Sequence, residues 1–139
     1  MNIRQLNIND YKKYISLINI SISKEKFDDF INNVLGELHI IYVLEKNNEI
    51  IGTGTLYIEK KLTYNISKMG HIENIFVDKN HRGNSYGEKI VKKLLEYAKN
   101  KKCYRVDLTC TEELIPFYIK NNFTAKNVSM NILFKENFK

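Results

Sequence analysis

One stretch constrains this chain more than any other: Gly70 to Gly87, reading GHIENIFVDKNHRGNSYG. It reads as a strand, a short loop with two glycines, and the start of a basic amphipathic helix. A strand feeding such a turn into a helix N-terminus leaves backbone N–H groups without helical partners, at the positive end of the helix dipole. That arrangement is a seat for a phosphate or pyrophosphate. The bland reading is an ordinary turn whose glycines merely permit the bend. The spacing matches neither GxGxxG nor GxxxxGK[ST] and does not choose between the two.

The rest of the chain has to build a sheet around that strand. Residues 3–8 form a first short strand, and Asn9 or Asp10 caps a helix through about Ile20. Ser23 caps a second helix, in which Phe27, Phe30, Ile31, Val34 and Leu35 follow helical spacing and Gly36 is the expected stop. Two strands, 38–45 and 49–60, are joined by Lys46-Asn47-Asn48 in a tight hairpin, because Asn tolerates positive φ. Residues 61–68 are turn-like, and the central strand spans 69–78. Its run Ile75-Phe76-Val77 suggests burial on both faces. The long helix covers 86–100, a strand covers 103–109, and a short helix has Pro116 in its first turn and ends at Asn121-Asn122. A final strand is expected over 124–134. The sum is one mixed α/β (α+β) domain over 1–139: a central mixed sheet flanked by helices, antiparallel first and with crossover helices later.

A chain of 139 residues with 43% hydrophobic composition can bury a core, so disorder is not an option. No apolar run approaches the about 18 residues of a membrane span and no signal peptide opens the chain, so a cytoplasmic protein without a membrane partner is expected. Cys103 and Cys110 lack a zinc-type pairing and, if they share a strand, their spacing of seven puts them on opposite faces, too far apart for a disulfide. No metal site is expected. The net charge of +6 comes from scattered lysine pairs, which are solvated faces able to attract a small anion. No ribonucleoprotein or recognition-helix motif accompanies them, so nucleic acid is not an expected partner. Only three arginines are used, Arg4, Arg82 and Arg105, which hints that a planar forked donor is wanted at each.

Several side chains could carry chemistry. Alternation along the central strand places Glu73, Ile75 and Val77 on one face and Ile72, Asn74 and Phe76 on the other. Glu73 is then a carboxylate either at a wet strand end or lining a cleft. His71 shares its face and reads as structural. Phe117 and Tyr118 read as core aromatics, although a tyrosine hydroxyl in a cleft can donate a proton to a thiolate. Nothing forms a Ser-His-Asp relay, and Cys110 has only proximity to recommend it as a nucleophile.

Taken together, the segments GTGTLYIEKKL at 52–62, MGHIENIFVD at 69–78, HRGNSYGEKIVKKLLEYAKNKKCYRVDL at 81–108 and FYIKNNF at 117–123 resemble the GNAT N-acetyltransferase superfamily. More narrowly, they resemble its glucosamine-6-phosphate N-acetyltransferases, over almost the whole chain. The resemblance implies acetyl-CoA as cosubstrate, an amino-sugar phosphate as acceptor, a product feeding UDP-GlcNAc biosynthesis, and a homodimer with the acceptor site near its interface. It implies that the backbone of Ile75, Phe76 and Val77 pairs with the pantetheine arm. It further implies that Arg82, Gly83, Asn84, Ser85, Tyr86, Gly87 and Glu88 wrap the pyrophosphate, and that the Thr109 carbonyl contacts amine or cofactor. Glu73, Asn74, Lys61, Tyr64, Tyr104 and Arg105 would contact the sugar, with Lys61 and Arg105 on its phosphate. Tyr118 would protonate the departing thiolate, and Glu73 would orient the amine for direct attack on the thioester.

The chain departs from the family at three places. Ser85 stands where Gly is usual; it supplies an N–H and can cap the helix, but tolerates fewer backbone angles. Thr109-Cys110-Thr111-Glu112-Glu113-Leu114 replaces a typical DCDEKN, and Leu133 stands where an arginine is common. These departures keep two alternatives open: acetylation of another small amine or amino sugar, and a CoA-binding regulator with decayed catalysis.

Overall fold

A computed structural model describes residues 1–135 as two compact units, one from Met1 to Leu108 and one from Thr109 onward. The first unit holds a five-stranded sheet in the order β1-β2-β3-β4-β5. The strands are β1 (Asn2–Gln5), β2 (His39–Lys46), β3 (Glu49–Lys60), β4 (Lys68–Val77) and β5 (Cys103–Leu108). The first four pair antiparallel; β5 joins β4 in parallel, as a strand that follows a crossover helix must. The helices of this unit are α1 (Tyr11–Ile18), α2 (Lys24–Asn33), the single turn α3 (Thr63–Ile66) and α4 (Tyr86–Asn100).

Local chemistry explains most of these elements. Asn47 and Asn48 adopt φ of 50° and 67°, the doubly positive turn that a two-residue hairpin of right-twisted strands requires. Ser23 Oγ accepts from the Lys26 N–H at 3.1 Å and starts α2. The helix stops at Asn33 instead of running to Leu35, and Gly36 instead pairs with His39 as an isolated bridge. The first strand and helix also begin differently from expectation. β1 ends at Gln5, and Asn7 caps a 3-10 turn over Ile8–Asp10. Asp10, 4% exposed, makes no cap to α1; its carboxylate accepts from the Asn7 N–H and, at 2.8 and 2.9 Å, from both ends of the Arg4 guanidinium. Arg4 also reaches Glu45 at 3.2 Å. Burial pushes the Asp10 carboxyl up, and these hydrogen bonds more than reverse it, so the group is held below its ordinary value. The forked donor at Arg4 is therefore structural, pinning β1 to β2 and to the start of α1.

The two faces of the sheet are covered unequally. On one, Leu6, Tyr14, Phe27, Ile41, Val43 and Ile50 gather β1, β2 and β3 against α1 and α2. On the other, α4 lays Ile90, Val91, Leu94 and Ala98 onto the sheet, each at most 1% exposed. Each large side chain buried there contributes about 1.5–3 kcal/mol. Gly52 and Gly54 let α4 approach: a Cβ at Gly54 would lie 2.7 Å from Ile90 Cγ2 and 3.0 Å from Leu94 Cδ1.

The second unit contains a 3-10 turn at Glu112–Leu114 and α5 (Ile115–Lys120), with Pro116 in its first turn and Asn122 in the left-handed region at φ 70°. The strand expected over 124–134 is not formed. Those residues are irregular, and Val128, Met130, Ile132, Leu133 and Phe134 are exposed. Their alternating apolar pattern suits a strand, but a strand needs a neighbour to satisfy its N–H and C=O groups, and the described residues supply none. No helix among the described residues is long and apolar enough to cross a membrane.

Candidate active site

The site is built around an irregularity in β4. Thr55 pairs with Glu73 and Thr53 with Phe76, so Asn74 and Ile75 together oppose Gly54. Asn74 takes φ 55°, the left-handed value at which Asn is the least costly residue after glycine. This is a β-bulge, and it inverts the strand's parity. Met69, His71 and Glu73 lie on the face away from α4, whereas Ile75 has turned to the α4 face, where its Cδ1 would meet a Cβ on Gly54 at 2.6 Å. Val77, paired with Gly52, lies on that face too. The expectation that Glu73, Ile75 and Val77 share a face is therefore wrong. Strict alternation cannot survive an inserted residue. Ile75, Phe76 and Val77 are also half-buried, not buried on both sides.

The bulge coincides with a parting of strands. The last β4–β5 pair is Ile72↔Leu108, yet β4 runs on through Val77 with, among the described residues, only β3 beside it. The backbone of Ile75, Phe76 and Val77 thus has one edge without a strand partner, which fits an extended amide-bearing arm laid alongside. At the end of that edge Asp78 caps a 3-10 turn over Lys79–His81, accepting from the Asn80 N–H at 3.2 Å and bonding His81 Nδ1 at 2.9 Å. The His81 contact chiefly holds the Asp78 carboxyl below its ordinary range. Arg82 folds back, its Nε donating to the Val77 carbonyl at 3.0 Å and its guanidinium 5.6 Å from the Phe76 ring. Asn84 Nδ2 donates to the His81 carbonyl at 3.0 Å. These bonds hold the loop through its side chains. Gly83 has φ +84°, with open space where a Cβ would point. Tyr86, Gly87 and Glu88 then open α4, whose first N–H groups have no helical partner.

Ser85 is left-handed at φ 62° and makes no side-chain cap. The cap expected of it is absent; its left-handed backbone takes the place of the extended one that capping uses. A left-handed non-glycine residue costs roughly 1–2 kcal/mol, partly offset by the lower entropy of Ser in the unfolded chain. Ser85→Gly is expected to stabilise the protein by about 0.5–1 kcal/mol. Urea denaturation checks this, and an unchanged midpoint would mean that Ser85 sits there without strain.

A second group of residues lies at the other end of β4. The link Lys61 to Ser67 is closed by the Lys61 N–H to the Ser67 carbonyl at 2.7 Å, and Tyr64, Asn65 and Ile66 are consecutive left-handed residues. The Tyr64 ring stacks on Tyr104 of β5 at 4.8 Å and 28°. Arg105 lies 5.5 Å from the Tyr104 ring and donates from Nη2 to Met69 Sδ at 3.3 Å. Tyr64, Tyr104 and Arg105 are therefore brought together across 40 residues of chain. Glu73 and Asn74 are exposed, and no hydrogen bond or ion pair engages the Glu73 carboxylate among the described residues. In the second unit, Thr109 is exposed. Tyr118 is buried, its ring against Phe117 at 4.9 Å and Phe123 at 5.7 Å. Burial, with a smaller effect from Cys110, pushes the Tyr118 hydroxyl above its ordinary value of 10. No group of three or more His, Cys, Asp or Glu suited to a metal occurs among the described residues. Sequence reasoning missed the bulge at Asn74, where the only signal was the Asn itself, and the partners of His71, Glu59 and Asp107.

A sheet that parts beside a strand bulge and leads to an open helix N-terminus defines a class, and residues 6–123 match the acetyltransferase (GNAT) family; the chain belongs to it. It is 36% identical to glucosamine 6-phosphate N-acetyltransferase of Arabidopsis thaliana over 95% of each chain. It is 35% identical to glucosamine 6-phosphate N-acetyltransferase 1 of Dictyostelium discoideum, over 95% of this chain and 90% of that one. The crystal structure of the Arabidopsis enzyme superposes with a TM-score of 0.93 at 35% identity, covering 96% of this chain and 98% of that one.

Proposed function

We propose that this protein transfers acetyl from acetyl-CoA to the amine of glucosamine 6-phosphate. The observation that carries the reading is the unpaired edge of Ile75–Val77 leading into the loop at Arg82–Glu88, in a chain whose relatives with that activity match it nearly end to end. Acetyl-CoA, when bound, supplies the thioester. Ile75, Phe76 and Val77 hold the pantetheine by main-chain bonds, and the N–H groups of Gly83 to Glu88 hold the pyrophosphate. Lys61 and Arg105 take the sugar phosphate, and the stacked Tyr64–Tyr104 pair gives a flat surface beside it. Glu73 and Asn74 orient the amine, with the Thr109 carbonyl as a further acceptor. The amine attacks directly, and holding both reactants in one cleft is the main source of rate. Tyr118 gives its proton to the departing thiolate, the attacking nitrogen sheds one proton to solvent, and solvent returns a proton to Tyr118. Its raised proton affinity keeps that proton in place at neutral pH.

The match across 6–123 spans both compact units and supports one functional domain. Dimerisation is part of the reading: Val128, Met130, Ile132 and Phe134, at strand spacing and each at least 80% exposed, offer an apolar edge that a second copy can cover. Two free thiols suit the reducing cytoplasm. Leu133 in place of the family's common arginine favours a second reading, acetylation of a different amino sugar.

Purified protein with acetyl-CoA and glucosamine 6-phosphate is expected to release free CoA, read with a thiol reagent. Release with glucosamine but not its phosphate would replace this acceptor by the second reading. CoA binding without release across an amine panel would leave a regulator. Arg105→Ala is expected to raise KM for the phosphorylated acceptor about tenfold, the loss of one charge-assisted contact. An equal rise with an unphosphorylated amine would contradict a phosphate role.

A further inference from the structure

Glu59, His71 and Asp107 stand on the adjacent strands β3, β4 and β5, on the sheet face turned away from α4. His71 Nδ1 lies 2.6 Å from Asp107 Oδ1, and Nε2 lies 3.0 Å from Glu59 Oε1. A neutral imidazole has one N–H, so it can donate to one of these carboxylates while turning a lone pair toward the other. Only the imidazolium donates to both. The Tyr57 ring stacks on His71 at 6.2 Å and 22°, and an aromatic face also favours the cation.

We infer that Glu59, His71 and Asp107 form a proton-operated clamp that ties edge strand β5 to the β3–β4 hairpin and loosens as His71 loses its proton. β5 is one of the two edge strands of the sheet. Its other edge is unpaired within the sheet, its pairing with β4 is slipped between Lys68 and Met69, and it ends at Leu108. The clamp lies three residues beyond Tyr104 and fixes the stretch that carries Tyr104 and Arg105.

Charged and titratable groups approach the cluster from each neighbouring strand. His39 of β2 lies 5.6 Å from the Tyr57 ring, and Lys61 follows the end of β3 and acts on Glu59. Glu73 lies two residues along β4 on the same face, and Arg105 two residues back along β5. Lys61 and Arg105 oppose the proton on His71 and Glu73 favours it; the two carboxylates in contact outweigh the two more distant cations because Coulomb energy falls with distance. Burial lowers the proton affinity of His71, but the bonds to Glu59 and Asp107 raise it further, to above its ordinary 6.5. The His71 bond in turn holds Glu59 below its ordinary 4.5.

The sign follows from linkage. A histidine raised on folding contributes fully below pH 6.5, and its contribution is lost as pH climbs through the raised value. On the acid side the clamp is lost when Glu59 takes up a proton, below pH 4.5. This inference rests on the geometry of three side chains and holds whether or not the acetyl-transfer reading does.

Two measurements on the full chain test it, neither needing activity: the imidazole titration of His71 by long-range proton–nitrogen NMR, and hydrogen exchange of the β5 amides against pH. The His71 midpoint is expected above 6.5 and is expected to fall in both Asp107→Asn and Glu59→Gln. After correction for intrinsic exchange, the β5 amides should open about tenfold faster for each pH unit by which the midpoint is raised. His71→Gln should lose that pH dependence. A midpoint at or below 6.5, a midpoint unmoved by Asp107→Asn, or an unchanged exchange profile in His71→Gln would each overturn the clamp. Asp107→Asn keeps the histidine and carries the titration test even if His71→Gln does not fold.

Discussion

Tyr118→Phe is expected to lower turnover about a hundredfold while leaving acetyl-CoA affinity within a factor of about two. The change removes one oxygen and its proton and keeps the ring, so packing against Phe117 and Phe123 persists. A general acid contributes only as the leaving group takes on charge, so its loss falls on kcat and not on ground-state binding. A hundredfold loss corresponds to about 2.7 kcal/mol of transition-state stabilisation. Burial raises the Tyr118 hydroxyl above 10, so the wild-type rate should not decline through loss of this proton until the pH exceeds that value. Isothermal titration with acetyl-CoA and steady-state kinetics separate the two quantities. Unchanged turnover would remove Tyr118 from the acid role, and a matching loss of CoA affinity would make it a binding residue.

Gly54→Val is expected to destabilise the protein by about 1–3 kcal/mol, lowering Tm by roughly 5–10 °C. The added Cβ alone would lie 2.6 Å from Ile75 Cδ1, 2.7 Å from Ile90 Cγ2 and 3.0 Å from Leu94 Cδ1. Each neighbour is the far end of a side chain, but Ile90 and Leu94 are fully buried and have no free space to yield into. Ile75 has more freedom, so relief should come by moving it, on the strand edge proposed to pair with pantetheine. CoA affinity should then fall together with stability. Gly36→Ala is the control, since nothing lies within 4 Å of a Cβ there. Calorimetry that shows equal Tm values for the two variants would contradict the tight α4–β3 contact.

Local order within the chain dictated much of what the structure shows. The hairpin at Asn47-Asn48, the cap at Ser23, the amphipathic α4 and the stop at Asn122 each depend on residues within about one turn of helix or strand, where propensity acts. The loop that opens α4 at Arg82–Glu88 was legible for the same reason. The sides of Glu73 and Ile75 were not, because a bulge is a property of two paired strands: Asn74 permits the left-handed angle, and the pairing of Thr53 and Thr55 of β3 with Phe76 and Glu73 requires it.

The final strand shows the same limit from the other side. Residues 124–134 have the alternation of a strand but lack, among the described residues, the neighbour that would make one. Arg4 and Arg105 looked alike as scarce forked donors; Asp10 and Glu45 claimed one for the scaffold, while the other meets only Met69 and the Tyr104 ring among the described residues. His71 looked like an ordinary strand histidine until Glu59 and Asp107 were found on either side. Sequence by itself determined the hairpin turn, the helix starts and the strands that find a partner, because those follow from neighbours along the chain. Only the tertiary structure decided which side chains meet across β3, β4 and β5, because register and bulge set those distances and no single segment encodes either.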